Sequence, residues 1–185
     1  SENLEYEDLE PSTEYVVYTY GLDANGNRTT ELVWVPFTTG EAYDGDITYE
    51  FSVSEDDFIL EFNIVPSEGS VHYYNGIVSE QTLSEWMEQY ETDDIRTAIQ
   101  MGDIEANIEF FIGEGLMSSR ESYYQMFDES GKMDYGWVDV DASTKYIIYA
   151  CKWNNNCELI GEIGTYKHFT QPISPSNNVI KGSIV

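Results

Sequence analysis

The chain has 185 residues, with 35 acidic side chains against 8 basic ones and a formal charge of -27 at pH 7. Phosphates are engaged through Lys and Arg, so this balance excludes nucleic acid and anionic membrane surfaces as partners and leaves cationic partners, metal ions or plain solubility. Hydrophobic residues at 41% suffice for a core, and the absence of a run of about eighteen apolar residues excludes a membrane-spanning helix.

Residues 1 to 40 read as three strands, about 3 to 9, 14 to 21 and 29 to 38. Asn25-Gly26 supplies the positive φ angles of a hairpin between the last two. No leader precedes this pattern of Leu4, Tyr6 and Leu9, so the chain reads as a mature or truncated product. Asp23, Asn25, Asn27 and Glu31 have some character of a calcium loop, yet Gly26 falls two places early for a helix-loop-helix site. A plain hairpin turn is the simpler account.

The segment Leu9-Glu10-Pro11-Ser12-Thr13-Glu14-Tyr15-Val16-Val17-Tyr18 returns as Val140-Asp141-Ala142-Ser143-Thr144-Lys145-Tyr146-Ile147-Ile148-Tyr149, 131 residues later (Thr13 to Thr144). Both copies run on to an aromatic and threonine, Phe37-Thr38-Thr39 and Phe169-Thr170. An apolar residue, Pro or Ala, Ser-Thr and then Tyr reads as a corner in which the Tyr hydroxyl bonds back to the backbone. Tyr15 and Tyr146 are the two candidate tyrosine corners. Val17 and Ile148 point inward with them, and Val16 and Tyr18 point the other way.

These residues resemble the fibronectin type III pattern of Leu-x-Pro-x-Thr-x-Tyr at the turn into the sixth strand. More narrowly, Tyr20-Gly21-Leu22-Asp23-Ala24-Asn25-Gly26 and Phe37-Thr38-Thr39 look like tandem repeats of secreted Bacteroidota lipoproteins. The second copy departs at Ala142 and at Asn154-Asn155-Asn156. The resemblance implies an immunoglobulin or fibronectin type III-like β-sandwich, secreted, at the cell surface or periplasmic, with a lipid anchor on the full-length precursor. It is nearly silent on function.

A complete module starts near Glu41. Ile47, Tyr49, Phe51 and Val53 alternate with polar residues, Phe58, Leu60, Phe62 and Ile64 repeat the pattern up to Pro66, and a third strand begins at Val71. From Ser79 the period changes to about 3.6. Leu83, Trp86, Met87 and Tyr90 share a helical face begun by the box Thr82-Leu83-Ser84-Glu85. A second helix is capped near Thr92 and broken or bent at Gly102, and its pattern runs through Ile104, Ile108, Phe111 and Ile112. Ser118-Ser119-Arg120-Glu121 opens a shorter helix through Tyr123, Tyr124 and Phe127, stopped by Gly131. Residues 79 to 130 thus form a helical insert, its stripe of Trp86, Ile108 and Phe111 packed on the sheet.

The β pattern then resumes, with Tyr135 and Trp137 aligned with Leu4 and Tyr6. The domain reading is the C-terminal half of one module at 1–40, a complete module at 41–170, and a linker with the first strand of a further module at 171–185. Residues 179 to 185 and the 1 to 40 strands have complementary defects, so the expectation is that they pair, within the chain or by strand exchange in a homo-oligomer.

Catalytic motifs are absent. His72 and His168 lack a nucleophile-elbow context, the phosphate loops are missing, and two Cys with two His fall short of a zinc site. Cys151 and Cys157 flank a hairpin and could form a disulfide, yet aligning Asn25-Gly26 with Asn156-Cys157 puts Cys157 at the turn tip and leaves Cys151 unpaired. The functional expectation is a non-catalytic module for structural presentation or binding, with carbohydrate or another cell-surface protein as partner and no cofactor beyond a weak case for calcium. Trp34, Tyr123, Tyr124 and Trp153 are the candidate glycan contacts. A glycoside hydrolase with an unrecognised carboxylate cleft is the third class.

Overall fold

The computed structural model describes residue 9, residues 12–40 and residues 45–172, with the backbone alone at 134–137. The expected strand at 3 to 9, the alignment of Tyr135 and Trp137, and the pairing of 179 to 185 lie outside the described residues or side chains. The chain folds as two compact units, Ser1–Asp44 and Gly45–Val185.

The first unit is an antiparallel ribbon of β1 (Glu14–Thr19) and β2 (Val33–Thr38), with Tyr15 opposite Phe37, Val17 opposite Val35 and Tyr18 opposite Trp34. Its turn is closed by Asp23, whose carboxylate accepts from the amides of Asn25 and Asn27, both at 2.9 Å. Gly26 there holds φ +82. The Asn27 side chain also bonds Asp23 and, with those amides, holds the Asp23 carboxyl below its ordinary range. Of the four residues with some character of a calcium loop, Asp23 and Asn27 bond through their side chains and Asn25 through its amide, as in an Asx-type turn.

The second unit is built from β3 (Tyr49–Asp56), β4 (Ile59–Pro66), β5 (His72–Ser79), β6 (Glu129–Ser130), β7 (Met133–Asp139), β8 (Lys145–Trp153) and β9 (Leu159–Phe169). One antiparallel sheet has the order β3-β4-β7, and the other β6-β5-β8-β9. Between them lie Phe62, Ile64, Tyr73, Ile148 and Ala150, with Tyr49, Phe51, Val53 and Val138 packed alongside. Phe58 does not continue β4 as the alternation predicts. With Asp57 it forms the β3–β4 turn at φ +65 and +46, the paired positive angles of a tight hairpin.

Between β5 and β6 run α1 (Glu80–Gln89), α2 (Ile95–Ile99), a π turn (Gln100–Glu105), α3 (Ala106–Gly113) and α4 (Arg120–Phe127). They cover the second face of the four-stranded sheet: Tyr74, Val78, Ile147, Tyr149 and Trp153 pack against Leu83, Ala98, Ile99, Ile104, Ile108 and Tyr123. Buried from both sides, β8 has an unbroken core run from Ile147 to Cys151, as a strand between two apolar layers must.

The insert falls within the expected span, but its caps differ. Ser79, not Thr82, caps α1, accepting from the Thr82 amide at 2.9 Å. Asp94, not Thr92, caps α2, and Ser119 caps α4, which ends at Phe127, ahead of Gly131. Serine, threonine and aspartate cluster at each start, so several oxygens compete for the free amides and backbone geometry selects one. Gly102 does not break the helix. The helical path continues through it as the π turn, and the position is a packing glycine, since a Cβ there would lie 2.3 Å from the Trp86 ring.

Candidate functional site

Among the described residues the 131-residue repeat shares hydrogen bonds at its threonines and at its turns. Thr13 N donates to Thr39 Oγ1 at 2.9 Å, and Thr144 N to Thr170 Oγ1 at 2.8 Å. Thr39 N bonds Thr13 O and Thr170 N bonds Thr144 O, each at 3.0 Å. Ser12 and Ser143 hold φ +50 and +53. At the turns, Asn154 stands for Asp23, accepting from Asn156 N and Glu158 N at 2.9 and 3.1 Å. Cys157, at φ +61, stands for Gly26. The shared offset corrects one pairing. Tyr15 faces Phe37 while Tyr146 faces His168, so His168, not Phe169, occupies the place of Phe37.

Tyr146 is half-buried, and its hydroxyl accepts from the Asp141 amide at 3.0 Å. Tyr15 is half-buried and stacks on Phe37 at 5.9 Å. The aromatics singled out as glycan contacts separate sharply. Trp153 and Tyr123 are core residues, 3% and 1% exposed, and not surface platforms. Trp153 packs between Tyr74 and Tyr124 at 4.9 and 4.8 Å and donates Nε1 to Asp128 at 2.7 Å. Tyr124 is half-buried in that stack. Trp34 is 58% exposed on the ribbon. The alternation that put Trp153 at a hairpin tip could not show that helices cover its face.

The polar side chains that converge most closely belong to the π turn. On its inner side Asp103 accepts from Tyr74 at 2.9 Å, from Asn107 at 2.7 Å and from Tyr149 by a shorter bond, while the Tyr74 and Tyr123 hydroxyls meet at 3.3 Å. Burial pushes the Asp103 carboxyl up from its ordinary value, against the three hydrogen bonds that favour its charged form. Burial, and after it the Asp103 charge, raise the Tyr74 and Tyr149 phenols far above their usual range. The sequence signal was present: Asp103 follows Ile99 by four residues and so shares its inward helical face.

On the outer side Gln100 bridges three elements. Its Nε2 donates to Glu105 at 3.0 Å and to Cys157 O at 2.9 Å, and its Oε1 accepts from Leu159 N at 2.8 Å. Arg120 forks onto both oxygens of Glu105 and donates Nε to Asn156 O at 2.8 Å. That guanidinium holds the Glu105 carboxyl below its usual range. Arg96 donates to Gly161 O at 2.8 Å. With Met101 and Ile160 these residues line an open groove of about 690 Å³. Its two carboxylates are both engaged, Glu105 by Arg120 and Glu158 by the Asn154 side chain at 2.9 Å. The groove is therefore a clamp that fastens the insert to the β8–β9 turn.

Two histidine pairs lie elsewhere. His72 Nδ1 meets Asp128 at 2.5 Å, on the carboxylate that Trp153 also binds, and His168 Nε2 meets Glu55 at 2.8 Å. Among the described residues no group of three His, Cys, Asp or Glu converges as a metal cluster, and no helix is long and apolar enough to cross a membrane. Cys151 and Cys157 are both buried and free, not joined in a disulfide.

Compared with protein-family models, curated proteins and solved structures, the chain matches none of them.

Proposed function

We propose that this chain is a non-catalytic, extracellular or cell-surface repeat module of fibronectin type III-like build, acting in structural presentation or binding. The carrying observation is the hairpin that recurs at a fixed offset with the same hydrogen bonds around Thr13 and Thr39 and around Thr144 and Thr170. Repetition of one supersecondary unit is how arrays are built. The antiparallel three-on-four arrangement of sheets supports the sandwich class, and the likeness of the Asp23–Gly26 hairpin to secreted lipoprotein repeats supports an address outside the cytoplasm.

In the groove the Glu105 carboxylate is tied up by the Arg120 fork, which disfavours that carboxylate as the proton donor of a hydrolase dyad. Carbohydrate stacking keeps one favourable observation, the exposed ribbon rings of Trp34, Tyr18 and Tyr20, the last two stacked at 6.1 Å and 3°. Tyr18, however, is the counterpart of Tyr149, which in the second unit lies under helices. The test combines two measurements. Pulling on the folded chain should give one cooperative rupture for residues 45–172, and incubation with polysaccharides should release no reducing ends. Sustained release of reducing ends would overturn the reading.

A further inference from the structure

The ribbon of β1 and β2 has the same turn, caps and register as the hairpin of β8 and β9, but not the same surroundings. On β8, Ile148 and Ala150 face the three-stranded sheet, and Ile147, Tyr149 and Trp153 face the helices; these five are at most 4% exposed. Their counterparts at the 131-residue offset are Val17 and Thr19 on one face and Val16, Tyr18 and Leu22 on the other. Val17 is 44% exposed, Val16 50%, Tyr18 61% and Leu22 58%. Trp34 and Val35 across the ribbon are 58% and 60% exposed. A two-stranded ribbon with apolar residues on both faces is not stable in water on its own.

We infer that the ribbon is the receiving hairpin of a second module of this chain's own build, with a sheet like β3-β4 closing on its Val17 face and a helical layer like α1–α4 closing on its Tyr18 face. The repeat names the occupant, because the matching hairpin in the second unit displays what covers such a surface. This rests on the modular reading above and extends it to the identity of the partner.

The differences between the two hairpins define the partner's chemistry. Thr19 opposite Val33 replaces Ala150 opposite Gly164. A Cβ at Gly164 would come within 2.7 Å of the Tyr49 ring, so a sheet that receives Val33 must carry a small residue where β3 carries Tyr49. Phe37 replaces His168, which binds Glu55, so an apolar residue must stand in place of Glu55. Tyr18 keeps the hydroxyl of Tyr149, so the partner must supply an acceptor where Asp103 stands and a glycine where Gly76 stands. At Gly76 a Cβ would lie 2.4 Å from the Tyr149 oxygen.

The test extends the full chain. A copy of residues 45–132, carrying Tyr49→Ala and Glu55→Val, is placed ahead of Glu2, because residues 2–8 of the sequence stand where Met133–Asp139 stand at the same offset. Hydrogen exchange is then followed at β1 and β2, with β8 and β9 as the internal standard. In the unextended chain at low concentration the ribbon amides should exchange on the order of 100-fold faster or more than those of β8. In the extended chain they should slow to within roughly tenfold of β8, and Trp34 fluorescence should shift to the blue. A copy retaining Tyr49 and Glu55 should protect the ribbon less. Fast ribbon exchange in the extended chain overturns the inference, as does equal protection by the unaltered copy. So do protection in the unextended chain that rises with its own concentration, which identifies a second copy as occupant, and protection by soluble oligosaccharides, which identifies a glycan surface. Release of reducing ends would sink the non-catalytic reading without moving ribbon exchange, so the two failures are distinguishable.

Discussion

Tyr149 on β8 donates its hydroxyl to Asp103 in the π turn, tying the middle of the four-stranded sheet to the middle of the helical insert. The same carboxylate takes Tyr74 and Asn107 at 2.9 and 2.7 Å, so one acid gathers donors from β5, β8 and α3. A buried carboxylate with three donors is satisfied geometrically and still loses its hydration.

That balance predicts a pH dependence. Burial raises the Asp103 carboxyl above its ordinary 3.8, so between that value and the raised one the folded chain binds more protons than the unfolded chain. The associated stability is complete below this window and is lost as pH rises through it. Asp103→Asn removes the titration, so its melting temperature relative to the parent should climb as pH rises above the ordinary aspartate value of 3.8. A difference that falls with pH would mean that the tyrosine and asparagine donors outweigh burial.

Gly102→Ala should cost about 1 to 3 kcal/mol, the usual range for overpacking. The added methyl would fall 2.3 to 2.7 Å from three atoms of the Trp86 indole, and alanine's better helix propensity returns less than 1 kcal/mol. Denaturant melts of the variant measure the difference. Restoring stability by adding Trp86→Leu to Gly102→Ala would locate the strain at that contact.

How far the sequence could be read follows from the range of each interaction. The match of Asn25-Gly26 with Asn156-Cys157 is legible in the sequence because an Asx-type turn is closed by atoms within four residues of Asp23 or Asn154. The insert was legible because Leu83, Ile99 and Ile108 change the apolar period from two to 3.6 where β5 ends. The burial of Trp153 and Tyr123 is not legible in the sequence, for the opposite reason. Whether a strand residue on the second face of β8 meets water or a helix depends on where α4 docks, and no local pattern encodes that. The π turn was hidden similarly, since only the contact of Gly102 with Trp86 distinguishes a packing glycine from a helix breaker.

Arg120→Lys should loosen the clamp without unfolding the unit. Lysine keeps the charge but loses the fork onto Glu105 and the Nε donor to Asn156 O. Because both partners of the ion pair are part-exposed, its coupling energy in a double-mutant cycle with Glu105→Gln should be about 0.5 to 1 kcal/mol. No measurable coupling would mean that the pair is a surface contact only.

The thiols give a readout of the covered sheet. Cys151 is fully buried, its Sγ directed to the carbonyls of Ile160 and Glu162, and burial pushes its pKa up to about 11. Cys157 is also buried, and its pKa too is raised by burial. Thiolate is the reactive species, so at neutral pH neither should label with an aromatic disulfide reagent until the unit opens. Both should then label together at the rate of unfolding. Fast labelling of Cys157 alone would show that the turn at Asn154–Cys157 opens independently of the insert.

Two tyrosine-to-phenylalanine substitutions in the same unit should act with opposite sign. Tyr146 loses a hydroxyl that accepts from the Asp141 amide at 3.0 Å, so Tyr146→Phe should destabilise by about 1 kcal/mol, with little change in packing. Tyr49 lies between the sheets with its ring 5.5 Å from that of Tyr73 and its oxygen buried without a hydrogen-bond partner. Burial is the largest influence on the phenol and raises it well above its usual range, with the Lys152 backbone acting weakly in the other direction. An unsatisfied buried hydroxyl carries its desolvation penalty uncompensated, about 1 to 3 kcal/mol. Removing it while keeping the ring against Gly164 and Tyr73 should therefore leave stability unchanged or raise it by up to about 1 kcal/mol. Chemical denaturation of both variants beside the parent checks the pair. Destabilisation by Tyr49→Phe comparable to that of Tyr146→Phe would mean that the Tyr49 hydroxyl has a partner in solution, and that the sandwich core is wetter at β3 than its packing indicates.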